Sequence, residues 1–198
     1  HDTIPGPGCT LNHLLMLLSS ASLRESALKN DRSTTDATGH TQHSSVNRRF
    51  DECYIRQERL RSGSFGTVYT CRHKLKPDVT FAVKIMDRKR LKEKDVSAVF
   101  REVKILCELA KDTEDEATPR YIVELIDFFV EPDYFYMVQV YAAGGDVFDR
   151  LTSRKTYTEK DARDLSKKLL ETIHFLHTHK PYPIVHRDLK PENLLLCD

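Results

Sequence analysis

At 198 residues the chain has room for one domain and a tail. Lys plus Arg number 31 against 30 for Asp plus Glu, and a net charge of +1 gives no electrostatic case for nucleic acid or an anionic membrane as partner. Hydrophobic residues at 39% support a core, while the five cysteines, odd in number and without a Cys-x-x-Cys, disfavour a disulfide framework and a zinc site.

A reducing compartment, cytoplasmic or nuclear, is therefore expected. Leu14-Leu15-Met16-Leu17-Leu18 is too short to span a bilayer, which takes roughly 20 apolar residues, and no basic stretch precedes it as in a secretory signal. It reads as an incidental helical turn rather than a docking or interfacial helix. The Ser/Thr-rich stretch Ser19 to Ser45 is polar enough to stay disordered. Residues 1–50 are thus read as a disordered Ser/Thr-rich segment, and the core is expected from Tyr54 onward, in a domain of residues 51–198. The chain opens on His1 and not Met, so a fragment of a longer gene product is expected.

Leu60-Arg61-Ser62-Gly63-Ser64-Phe65-Gly66-Thr67-Val68-Tyr69 sets glycines between two apolar strand segments. Such a turn is usually a plain hairpin, although it also lets backbone N–H groups approach phosphate oxygens. Phe81-Ala82-Val83-Lys84-Ile85-Met86 follows as a short strand with one lysine inside. Lys84 either faces solvent on an alternating strand or meets something anionic. Val96, Phe100, Val103, Leu106 and Leu109 recur at helical spacing, with Glu102 adjoining that face. The acidic run from Lys111 to Arg120 reads as a solvated loop insertion. Ile122 to Val130 and Tyr134 to Tyr141 read as a hairpin joined by Glu131-Pro132-Asp133, and Gly144-Gly145 as a flexible connection. Thr158-Glu159-Lys160-Asp161 predicts a helix N-terminus, continued by Ala162, Leu165, Leu169, Ile173 and Leu176 as a buried core helix. Arg163, Lys167, Lys168 and Glu171 would form its solvated face. Tyr182 to Val185 reads as a strand leading into a loop, and Leu194 to Leu196 as a second strand.

Between those two lies His186-Arg187-Asp188-Leu189-Lys190-Pro191-Glu192-Asn193, the most specific string in the chain. A hydroxyl attacking ATP needs a carboxylate to orient it and take its proton, a cation near the migrating phosphoryl group, and an amide oxygen on a metal ion. Asp188, Lys190 and Asn193 supply those groups in that order, at Asp-x-x-x-x-Asn spacing. The chain resembles a eukaryotic protein kinase, and Lys190, two places after Asp188, resembles the serine/threonine branch.

The resemblance implies an α+β fold, with a small antiparallel β lobe carrying one helix and the start of a mainly helical larger lobe. It implies ATP and Mg2+ as cofactors, Asp188, Lys190 and Asn193 as catalytic residues, and Asn193 as metal ligand. It further implies that Gly63 and Gly66 approach the phosphates, that Lys84 pairs with Glu102, and that Gln139 is the gatekeeper. The backbone of Val140 and Ala142 would then meet adenine, Asp146 the ribose, and Leu195 would lie beneath the base opposite Val68 and Ala82. Asp146 and Glu192 resemble positions that meet an Arg upstream of the target hydroxyl, so protein substrates with Ser/Thr sites in basic motifs are implied. Gly144 to Arg150 and Tyr157 to Ala162 are similar to the calcium/calmodulin-dependent group, and calmodulin regulation would need a segment beyond Asp198.

The likeness runs from about Tyr54 to Asp198 and departs from the family at Arg61, which replaces the first glycine of the phosphate loop. Its guanidinium would crowd the roof of the site or lie outward along the strand. The expected function is an ATP-dependent serine/threonine kinase represented by an incomplete chain; the alternative is a non-catalytic, pseudokinase-like module that holds nucleotide or a partner. Ending at Asp198, the chain is expected to be inactive and to leave Leu169, Ile173, Leu176 and Leu194 to Leu196 as an uncovered apolar patch.

Overall fold

The computed structural model describes residues 13–16, 48–111, 121–153 and 158–197. In chain order these form β1 (His13–Met16), α1 (Phe50–Cys53), β2 (Tyr54–Gly63), β3 (Gly66–His73), β4 (Lys76–Asp87), α2 (Glu93–Lys111), β5 (Leu125–Val130), β6 (Tyr134–Val140), α3 (Val147–Ser153), α4 (Glu159–Thr178) and β7 (Leu194–Cys197). Short 3-10 turns cover Arg88–Arg90 and Pro191–Asn193.

Strands β2 to β6 make one antiparallel sheet in the order β2-β3-β4-β6-β5. Side chains alternate along a strand, so β4 and β6 sort their residues between two faces. Ala82 lies opposite Gln139, Lys84 opposite Met137 and Met86 opposite Phe135. That face meets α2, where Met86, Phe135 and Met137 pack with Val99. The other face buries Phe81, Val83 and Val138 beneath Phe50 and Tyr54. Phe50 stacks on Tyr54 and Tyr136, and the Tyr54 hydroxyl donates to Asp127 Oδ2. The predicted hairpin is present, but its first strand starts at Leu125 rather than Ile122.

Helix α2 turns inward the residues Val99, Glu102, Leu106 and Leu109. Phe100, expected on that face, is 46% exposed and meets Phe128 and Phe135 only edge-on. Over the first half of α2 the buried residues are Val99 and Glu102 rather than Phe100 and Val103, while Leu106 and Leu109 are buried as the periodicity predicts. In α4 the predicted cap is formed: Thr158 Oγ1 accepts from the Asp161 N–H at 3.1 Å, and the Asp161 carboxylate accepts from the Thr158 N–H at 3.4 Å. The helix is a buried core helix only toward its C-terminal end, where Thr172 and Leu176 are enclosed. Ala162 is exposed, because the packing partners gather around Leu176. Lys168 departs from the solvated face and lies over the Tyr121 ring at 5.8 Å.

The segment around Leu14 differs most from expectation. It is a strand, antiparallel to β7 with Leu14 opposite Leu196 and Met16 opposite Leu194, and not a helical turn. The Met16 N–H donates to the Tyr121 carbonyl at 2.6 Å, and the Val123 N–H to the Met16 carbonyl at 3.1 Å. Met16 is fully buried with Leu106, Leu176, Ile184, Leu194 and Leu196, so the core begins before Tyr54. Of the apolar patch expected to be uncovered, Leu176, Leu194 and Leu196 are buried in that cluster, while Leu169, Ile173 and Leu195 are half-buried. Tyr182 to Val185 forms no strand; the Ile184 N–H instead donates to the Leu176 carbonyl at 2.8 Å, tying this irregular run to α4. The Ser/Thr-rich stretch, the acidic run after Lys111, Tyr157 and Cys9 lie outside the described residues.

Candidate active site

A cavity of about 370 Å³ opens between the sheet and the helical part. Leu60, Val68, Ala82 and Leu195 give it apolar walls; Val140, Tyr141 and Ala142 form one edge, and Lys84, Glu102, Gln139, Asp146 and Asn193 add polar groups. The apolar slot fits a flat aromatic base, while Lys84 suits an anionic tail. Of the residues singled out in the sequence, all of these face one space. Val123, Tyr141 and Asp149 also line it and are not singled out as site residues in the sequence, although Asp149 falls within the Gly144 to Arg150 pattern.

Glu102 is 1% exposed, on the inner stripe of α2 and in the same lining as Lys84. A carboxylate at that depth is costly without a cation nearby, and Lys84 projects from the facing strand. Val68 and Lys84 are register partners across β3 and β4, which sets roof and cation side by side.

Gly63 and Gly66 are not brought into this lining. They close the β2–β3 hairpin and border a separate cavity with Phe65, Tyr69 and Ile85. The two glycines are not equivalent. Gly66 has φ of 149°, and a Cβ there would sit 2.4 Å from the Ile85 carbonyl oxygen, whereas one on Gly63 would meet nothing nearer than 3.9 Å. Gly66→Ala should therefore destabilise the protein by about 2 kcal/mol or more, and Gly63→Ala by less than about 1 kcal/mol. Equal melting shifts for the two variants would contradict this.

After α4 the chain passes through Ile184 and the buried His186 into the loop. Arg187 has φ of 63°, an unusual value for a residue with a side chain, and it re-aims the backbone just before Asp188. The Asp188 N–H donates to His186 Nδ1 at 3.3 Å. Asn193 Nδ2 donates to the Asp188 carbonyl at 2.7 Å and to its Oδ2 at 2.9 Å, and Lys190 Nζ lies 3.1 Å from the same Oδ2. Both side-chain contacts fall on Oδ2 and neither on Oδ1. The Asn193 amide nitrogen is likewise spent on Asp188, so its Oδ1 is the atom offered to the cavity.

Burial disfavours the charge on Asp188, but the hydrogen bonds from Lys190 and Asn193 and the positive charge of Lys190 outweigh it, holding the carboxyl below its ordinary value. Asp188 therefore contributes stability that is present above the unfolded carboxyl pKa of about 3.9 and is lost as pH falls through the folded value. Carbon-detected NMR titration should find its midpoint below that of a free Asp, and Lys190→Met should move it upward. A midpoint unmoved by that substitution would remove Lys190 as a cause.

At the opposite end of the cavity, Asp146 Oδ1 accepts from the Asp149 N–H at 2.8 Å, capping α3, and its backbone bridges to Leu195. Arg61 meets the other oxygen: its guanidinium lies 2.7 Å from Asp146 Oδ2. Of the two directions open to Arg61 in the sequence, the inward one is taken.

Comparison with known proteins agrees with this geometry. The family described as "Protein kinase domain" matches residues 54–198. The chain is 34% identical over 160 residues to calcium/calmodulin-dependent protein kinase type 1 of Caenorhabditis elegans, covering 81% of this chain and 41% of that protein. It is 35% identical to the protein of the same name from Macrobrachium nipponense, covering 73% and 39%, and 37% identical to calcium-dependent protein kinase 4 of Plasmodium falciparum, covering 74% and 26%. The chain thus spans about two fifths or less of the length of these curated relatives.

Proposed function

This chain belongs to the protein kinase family, and from that premise we propose that it carries the nucleotide site and catalytic loop of an ATP-dependent serine/threonine kinase, which moves the γ-phosphoryl group to a protein hydroxyl. The observation that carries the reading is the Asp188–Lys190–Asn193 arrangement: a carboxylate met by both side chains on one oxygen, with Asn193 also lining the slot. In the proposed reaction Asp188 Oδ1 accepts the substrate hydroxyl and orients its lone pair toward the phosphorus. Its lowered pKa makes it a weak base, so positioning is its main task and the proton is taken late. Lys190, half-exposed beside it, can turn from Asp188 to the migrating phosphoryl oxygens as their charge shifts.

Lys84 would hold the nucleotide's inner phosphates, with Glu102 fixing its direction. The flat walls of Val68, Ala82 and Leu195 would exclude water from the base, and the backbone of Val140 and Ala142 would pair with its edge. Mg2+ fits only in part. Asn193 Oδ1 suits it as one oxygen ligand, and among the described residues no cluster of three His, Cys, Asp or Glu side chains could hold a metal by itself. An ion there would neutralise phosphate charge, with the nucleotide's own oxygens completing its shell.

Among the described residues no helix is long and apolar enough to cross a membrane. The substrates are proposed to be proteins presenting Ser or Thr, and regulation of the full-length protein by calcium and calmodulin is proposed only where a segment beyond Asp198 provides for it. Calorimetry with ATP and Mg2+, followed by phosphotransfer from labelled ATP to a generic protein substrate by the full-length protein, tests the reading. Binding without transfer would turn it to the pseudokinase-like alternative; no binding would end the kinase reading and leave only a module that holds a partner.

A further inference from the structure

An irregularity in β2 puts a cation where the slot would receive a sugar. Arg59 lies opposite Tyr69, but Arg61 lies opposite Val68, so two residues of β2 advance against one of β3. This is a bulge. Neighbours in a regular strand point to opposite faces, yet Leu60 and Arg61 both line the cavity, which the bulge makes possible. Leu60 covers the apolar part. Arg61 crosses the mouth, with one nitrogen 2.7 Å from Asp146 Oδ2 and the other 3.4 Å from the Glu192 carbonyl, a long and weak contact.

The acceptor side is fixed. The Asp146 side chain is 7% exposed and its other oxygen is engaged by the Asp149 N–H, so neither oxygen is idle. The donor side is movable, since the Arg61 side chain is 48% exposed. A mobile cation held by an anchored, desolvated carboxylate ties the hairpin of the sheet to α3 and the turn before β7.

We propose that Arg61 is a latch across the nucleotide slot that withholds Asp146 from the sugar, so that this protein distinguishes ribose from deoxyribose poorly. This rests on the nucleotide site proposed above. With the base between Val68, Ala82 and Leu195 and the phosphates at Lys84 and Asn193, the sugar falls beside Asp146 and Asp149. A ribose hydroxyl seeking Asp146 Oδ2 must displace a guanidinium, exchanging a charge-assisted hydrogen bond for one in which the donor is neutral. The exchange yields little net affinity, and the hydroxyl that separates ribose from deoxyribose goes largely unread.

The test is calorimetry of the whole chain with Mg-ATP and with Mg-2′-deoxy-ATP, for the wild type, Arg61→Gly and Arg61→Leu. The wild type is expected to bind the two within about 2-fold of each other, and both variants to prefer ATP by roughly 3- to 10-fold, the value of one hydrogen bond to a charged group that is partly screened. Arg61→Gly should also bind ATP more tightly than the wild type. Arg61→Leu keeps bulk without charge, so a crowding effect would move both nucleotides together and leave the ratio unchanged. An unchanged ratio in both variants, or strong ATP preference in the wild type, overturns the latch while leaving the nucleotide site standing. Failure of all three proteins to bind either nucleotide overturns the site and the latch together.

Discussion

Asp188→Asn is expected to lower turnover of the full-length protein by about 10²- to 10⁴-fold while ATP affinity stays within a few-fold. The substitution keeps the side chain's size and leaves an amide oxygen to receive Lys190 and Asn193. It removes the anionic oxygen proposed to hold the attacking hydroxyl, and an amide cannot take the proton. The affinity should survive because Asp188 is absent from the lining of the slot. Asn193→Ala makes the contrast: it removes both a slot residue and the two hydrogen bonds that orient Asp188, so affinity and turnover should fall together. Single-turnover phosphotransfer beside equilibrium ATP binding separates the two. An Asp188→Asn protein with unimpaired turnover would take Asp188 out of the mechanism.

Lys84→Met should produce the second large effect, and on both quantities. It takes away the cation proposed to meet the phosphates, and it removes a positive charge from the cavity that Glu102, 1% exposed, also lines. Taking a cation from the neighbourhood of a buried carboxylate is costly because a carboxylate left charged there is desolvated. Turnover is therefore expected to fall by at least about 10²-fold, with a measurable loss of thermal stability. The pairing itself is checked by a double-mutant cycle with Lys84→Met and Glu102→Gln, where groups in contact give a coupling of about 1–3 kcal/mol. Strict additivity would mean that the two line one cavity without acting on each other.

Much of the site was legible because kinase motifs are short and their chemistry is local. Lys190 and Asn193 both meet Asp188 within five positions of it along one loop, a distance a sequence pattern can encode directly. Lys84, Val68, Ala82 and Gln139 sit on strands whose alternation assigns a face, and register then puts Ala82 beside Gln139 and Lys84 beside Val68. Glu102 was harder. Over the first half of α2 hydrophobic periodicity turns Phe100 and Val103 inward, while the structure buries Val99 and Glu102 there, because a helix face is chosen by what it packs against. The glycines show the reverse: the motif names both, but only Gly66 is required by the backbone, through a carbonyl contributed by β4.

By itself, then, the sequence determined most of the elements from β2 to β7, though not the irregular run Tyr182 to Val185, together with the Asp188 to Asn193 pattern and the family, since these depend on propensity, period and spacing along the chain. The tertiary structure alone decided the rest. It decided that Met16 completes the core of the helical part, that Arg61 turns inward to Asp146, and that Val123 joins the slot. In each case the partner lies tens of residues away, and the decision rests on a bulge, a strand edge or a cavity wall that exists only after the chain has folded. A strand of four residues has too short a pattern to announce itself, and it forms because β7 presents an edge to pair with.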